Sequence, residues 1–232
     1  MMILKMAGSY TSEMNGFITR ICADLEKAGV QGVPEYKQRL IANSASDNFK
    51  DFLLEGKAAL MFRQAGFHVT LREAPDLALE FNNEQLYAEV KHFRLKKQDL
   101  IDDANMSEPG DIPVSYGNTV PLEGKPAWEQ VYDVVKSKIS QYKENAPNIL
   151  VIESSSPNCI DDLVIPGAVD MVNRDVYSGR CQDLGRLNGI LFVSLDCYNI
   201  SQKRNVFFYR TGKPDVPLTS GIRSLLDRIC SG

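Results

Sequence analysis

Apolar residues recur along this chain with two different periods, and the change from one period to the other marks its elements. Phe17, Ile18, Ile21, Cys22 and Leu25 fall at helical spacing, which predicts a helix over residues 10–29 that stops at Gly29. A connector carrying Gly32 and Pro34 follows. Phe49, Phe52, Leu53, Leu60 and Phe62 give the apolar face of a second helix from Ser46 to Gln64. Ser46 or Asp47 is placed to cap it, and Gly66 ends it.

The period then drops to two. Residues 67–72 alternate apolar and polar, and the runs 77–81 and 85–93 flank Asn82-Asn83-Glu84, a tight-turn segment. Residues 97–126 are polar, contain Gly and Pro and show no period; a loop of that length is commonly functional. A helix is expected over 127–144 on the spacing of Trp128, Val131, Tyr132, Val135, Ile139 and Tyr142. Residues 148–153 (NILVIE) and 187–195 (LNGILFVSL) are expected as core strands, 206–210 (VFFYR) as a further strand, 161–187 as partly helical and 221–230 as a terminal helix. This alternation predicts an α/β fold, a mixed central sheet flanked by helices. Residues 1–45 are expected as an N-terminal helical extension and 46–232 as a single α/β domain with its core at about 46–153.

Composition narrows the class without naming a function. The 232 residues are 44% hydrophobic and 24% charged, ordinary for a globular protein. No apolar run approaches the roughly 20 residues of a membrane helix, and no signal peptide is evident at the start. Five widely spaced cysteines, none in a C-x-x-C pair, fit reduced thiols and a cytoplasmic setting. A net charge of −4 argues against a globally basic nucleic-acid binder, and two histidines leave little room for His-rich metal chemistry. Neither Gly-Lys-Pro segment fits a phosphate-cradling P-loop.

The candidate chemistry lies on the 85–93 strand. Alternation sends Glu89 and Lys91 to one face and Ala88 and Val90 to the other. The hairpin folds Asp76, thirteen positions before Glu89, back toward it. Two nearby carboxylates repel, which raises a pKa or recruits a cation, and a hard divalent ion prefers such oxygens. Lys91, His92, Arg94, Lys96 and Lys97 form a basic strip able to meet phosphates.

Pro75-Asp76 followed by Glu89-Val90-Lys91, with Glu55 on the preceding helix, resembles the signature of the PD-(D/E)XK nuclease superfamily, the restriction-endonuclease-like fold. The resemblance covers about residues 46–153. It implies phosphodiester hydrolysis in nucleic acid, with DNA as the expected partner. It places Mg²⁺ or Mn²⁺ on Asp76 and Glu89, with Glu55 binding directly or through water and the Val90 carbonyl adding an oxygen. Lys91 would orient the attacking water or steady growing negative charge. Lys138 and Gln141, taken as one helical turn apart, could reach the substrate. A homodimer is left open.

Each residue also has an ordinary reading. Glu55 would be a solvated helix residue, Asp76 a turn starter, and Glu89 with Lys91 an exposed ion pair worth roughly 0–1 kcal/mol. His92, Lys138 and Gln141 would be surface positions, and Trp128 with its neighbouring tyrosines core or interface. The competing function is a catalytically inactive module on the same fold that binds nucleic acid or protein.

Overall fold

The computed structural model describes residues 2–46, 49–93, 126–154, 164–195 and 204–231. Helix α1 (Met2–Lys27) begins upstream of the expected residue 10. The connector expected next is instead a helix, α2 (Val33–Ala42). Pro34 sits in its first turn, where a missing N–H costs nothing, and Val33, Tyr36 and Leu40 are buried at helical spacing. Gly32 precedes it with φ 78°, and a Cβ there would lie 2.3 Å from the Leu71 carbonyl oxygen, so the position demands glycine. Helix α3 (Phe49–Ala65) and strands β1 (His68–Leu71), β2 (Leu77–Phe81) and β3 (Glu84–Phe93) follow as expected. Asn82 and Asn83 both take positive φ, 52° and 63°, the conformation of a two-residue turn matched to strand twist.

After β3 come α4 (Ala127–Ser137), β4 (Asn148–Ser154), α5 (Val164–Tyr177), β5 (Leu187–Leu195), β6 (Arg204–Arg210) and α6 (Ser220–Ser231). The helix expected over 127–144 ends at Ser137. A 3₁₀ turn, Ile139–Gln141, replaces its last part, closed by hydrogen bonds from Gln141 N–H to the Lys138 carbonyl and Tyr142 N–H to the Ile139 carbonyl.

The six strands lie in chain order, β1 to β6. The pairs β1–β2, β2–β3 and β5–β6 are antiparallel, while β3–β4 and β4–β5 are parallel. The fold is therefore α/β, a mixed sheet flanked by helices. Two apolar cores result. One joins α1, α2, α3 and α6 to Ala88, Val90, Ile149, Val151, Leu191 and Val193. Ile18, Leu25, Tyr36 and Leu40 of the first 45 residues belong to it. The other joins α4 and α5 to Leu150, Ile152, Ile190 and Phe192 on the opposite face. Alternate residues of the central strands feed alternate cores, which is why β4 is buried along its whole length. No helix among the described residues is long and apolar enough to cross a membrane.

Candidate metal centre and cleft

The site exists because β2 is shorter than β3. Leu77 pairs with Ala88, the last β3 residue that β2 reaches; from Glu89 onward β3 pairs only with β4. The β2-side edge of β3 is thus open, and its N–H groups need other acceptors. Two carboxylates supply them. Asp76, just ahead of β2, accepts the Val90 N–H at 2.8 Å, and Asp51 of α3 accepts the His92 N–H at 3.1 Å. In an extended strand the C=O of a residue leaves by the same edge as its N–H, so the Val90 carbonyl faces this gap as well.

Glu55, one helical turn beyond Asp51 on α3, enters the gap from above the sheet. It is 5% exposed, so the solvated-helix reading fails; Asp76 and Glu89 are 8% and 1% exposed. Burial pushes the Glu55 carboxyl up to about 8, and the Asp76 charge adds to the rise against the opposing Arg39. Burial likewise lifts Glu89 to about 7, helped by Asp76 and opposed by Lys138. Asp76 is raised by burial, though the Val90 N–H holds it back. That each acid acts on the next shows the three to be neighbours. Glu55 Oε2 and Glu89 Oε1 are both buried without a hydrogen-bond donor. A buried carboxylate oxygen that lacks a donor is satisfied by a proton or a cation.

Basic side chains come to these acids from unexpected places. Lys138 Nζ lies 2.8 Å from Glu89 Oε2 and 2.8 Å from Gln141 Oε1. Burial would lower its amine, but the Glu89 hydrogen bond and the charges of Glu89, Asp76 and Glu55 prevail and raise it. Lys138 and Gln141 are therefore not solvated helix positions. The switch from α-helix to 3₁₀ turn between them brings Lys138 against β3 and sets Gln141 beside it. Arg39 of α2 places Nη2 3.0 Å from Glu55 Oε2, an ion-pair distance without hydrogen-bond alignment, consistent with Oε2 still lacking a donor. Lys91 does not pair with Glu89. Its Nζ lies 3.0 Å from Asp51 Oδ2 at the far end of the gap.

Glu55, Asp76, Val90, Lys91 and Lys138 line one open cleft of about 500 Å³ together with Arg39 and Asp51. Glu89 does not line it and is reached from it through Lys138. Among the described residues no group of three or more His, Cys, Asp or Glu side chains stands in position to hold a metal ion. The donor set itself, three raised carboxyls with two unsatisfied oxygens, suits a hard divalent cation. His92, expected at the surface, is buried at 5%: its even position sends it to the α3 side with Ala88 and Val90. Of the expected basic strip, Arg94, Lys96 and Lys97 lie outside the described residues.

Sequence reading missed Arg39 and Asp51. Arg39 was hidden with α2. Asp51 had a faint signal, lying four residues before Glu55 on one helix face. No protein-family model, curated protein or solved structure matches the chain.

Proposed function

We propose that the chain is a metal-dependent nuclease that hydrolyses phosphodiester bonds in DNA. One observation carries the reading: Glu55 and Asp76 line a cleft with Lys91, Lys138 and Arg39, Lys138 reaches from it to Glu89, and all three acids are buried with raised carboxyls. A structural ion pair does not need three acids at one point, whereas phosphoryl chemistry needs negative ligands below and positive charge above.

Asp76 and Glu89 would hold Mg²⁺ or Mn²⁺, with Glu55 and the Val90 carbonyl completing the set. Bound there, the ion would supply Lewis-acid polarisation of the phosphate. The residues do the rest. Asp76 stays fixed by the Val90 N–H, so its free oxygen keeps its aim. Lys91, tethered at Asp51, stands where it can orient water or steady charge that grows on the phosphate. Lys138 opposes the rise that burial imposes on Glu89. The three described free cysteines, Cys22, Cys181 and Cys230, fit a reducing, cytoplasmic setting.

The competing reading is a non-catalytic module on this fold. The Arg39–Glu55 and Lys138–Glu89 pairs favour it, since each glutamate already has a cationic neighbour. A panel of duplex, single-stranded and branched DNA, incubated with Mg²⁺ or Mn²⁺, decides between them. Metal-dependent cleavage lost in Lys91→Ala supports hydrolysis. Salt-sensitive binding with no turnover and no metal-induced rise in melting temperature removes it.

A further inference from the structure

A second cleft of about 520 Å³ opens beside the first, between α2 and the end of β1. It is lined by Gly32, Tyr36, Ala42, Leu71 and Arg72 among others, and it shares Arg39, Asn43 and Glu73 with the acid-floored cleft. Arg39 thus faces both clefts. The size of the second falls in the range of about 300–1,000 Å³ typical of small-ligand sites.

Arg39 is unusually well held for a cleft residue. Its guanidinium lies over the Tyr36 ring at 5.9 Å and the Phe52 ring at 5.6 Å. Its Nη2 donates to the Arg72 carbonyl at 2.8 Å. Those contacts fix the plane of the fork. They leave Nε and Nη1 with no acceptor among the described residues. The side chain is 23% exposed, enough to be met from the clefts. A guanidinium fixed in plane with open donors matches a phosphate group, because little side-chain entropy remains to be lost on binding. Glu35 and Glu73 also line the second cleft, so attraction there comes from this fixed fork rather than from a net positive field.

From this geometry we infer that Arg39 contacts a backbone phosphate of a polynucleotide strand, and that the second cleft receives the nucleotide adjoining the scissile phosphate. The inference rests on the nuclease reading for the identity of the strand. It makes α2 part of the substrate surface. Arg39 is then the residue that sets where the strand crosses the acids.

Binding without metal tests this independently of turnover. The full chain is titrated with a labelled single-stranded oligonucleotide in EDTA over a range of KCl concentrations. Arg39→Gln should weaken binding about tenfold and reduce the slope of log K against log salt by about 0.7, the release expected for one lost single-strand phosphate contact. Arg39→Lys should keep the slope while losing part of the affinity. Ala42→Trp, which fills the second cleft away from the acids, should also weaken binding. Because Arg39 neighbours Glu55, Arg39→Gln is repeated in a Glu55→Gln background. A slope that still falls there supports phosphate contact; a slope that no longer responds shows Arg39 merely neutralises Glu55 and overturns the inference. Wild-type chain that binds the strand in this Arg39-dependent way but never cleaves leaves the Arg39–phosphate contact standing, and removes hydrolysis together with the placement beside a scissile phosphate. Cleavage with a slope indifferent to Arg39 removes the inference alone. No binding by the wild type at any salt overturns it outright.

Discussion

Two groups of buried polar side chains sit on neighbouring central strands, β3 and β4, and they are built on opposite principles. At the start of β4, Asn148 is 1% exposed and fully satisfied. Its Oδ1 accepts the Lys143 N–H at 2.8 Å, and its Nδ2 donates to the carbonyls of Lys143, Ala146 and Arg186 at 2.8, 2.8 and 3.0 Å. Its own N–H donates to Asn188 Oδ1, and Asn188 in turn donates to the Val216 carbonyl at 2.7 Å. Every member is neutral and paired, so the group pins two loops and the β4–β5 register. Beside the open edge of β3, Glu55, Asp76 and Glu89 are like-charged, raised and short of donors. Burial of polar groups thus serves structure in one place, while in the other it stores an unmet demand for positive charge.

The sharpest break between the two should come from single amide exchanges. Asp76→Asn keeps the shape and removes one like charge. Cleavage should fall at least about a thousandfold, roughly 4 kcal/mol of barrier, while the urea midpoint holds or rises. A variant with full activity would make the acid group as structural as the asparagine one. Asn148→Ala should do the reverse. Its loss strands a Lys143 N–H and several carbonyls and should cost about 3 kcal/mol of stability, with cleavage per folded molecule unchanged.

The pH dependence of metal-free stability separates the groups further. Glu89 and Glu55 hold protons more tightly folded than unfolded, so their contribution is complete below the ordinary value of 4.5. It is lost as pH rises through about 7 and then about 8. Melting scans should therefore show stability falling from pH 5 to pH 8.5, and the fall should shrink in Glu55→Gln. A stability that rises over this window would contradict the buried, proton-holding acids. Asn148→Ala should leave the pH trend untouched.

The smallest effect concerns how α2 is seated over the acids. A Cβ at Gly56 would meet the Tyr36 hydroxyl at 2.3 Å, and that hydroxyl donates to the Phe52 carbonyl at 2.9 Å. Gly56→Ala should push α2 away and cost about 1–2 kcal/mol in chemical denaturation. It should also weaken the hold of Arg39 on Glu55, visible as a change in metal affinity that a comparable strain near Asn148 would not produce.

Much of this architecture was legible along the chain. Strand alternation placed β1, β2 and β3, apolar runs placed β4 and β5, the Asn82-Asn83 pair announced its hairpin, the hairpin spacing singled out Asp76 and Glu89, and the family resemblance added Glu55. Helix α2 was lost because Gly32 and Pro34 read as breakers, although the burial spacing of Val33, Tyr36 and Leu40 carried its signal. The end of α4 was misplaced because Ile139 and Tyr142 keep a helical spacing through a 3₁₀ turn. His92 was assigned to the surface on its polarity, whereas its even position in β3 makes it a core-side residue.

By itself the sequence determined periods: which stretches are helices or strands, which residues share a face, and that Glu55 falls on a helix, Asp76 at the entry to a strand and Glu89 on the next strand. These depend on neighbours a few residues away, where backbone geometry is repetitive. Tertiary structure alone decided how the charges are answered: Arg39 at Glu55, Lys138 at Glu89 and Asp51 at Lys91. Those partners come together only because β2 begins at Leu77, α2 docks on α3 and α4 breaks at Lys138. Coulomb energy depends on distance through space and on how much water is excluded, and neither is a periodic property of the chain.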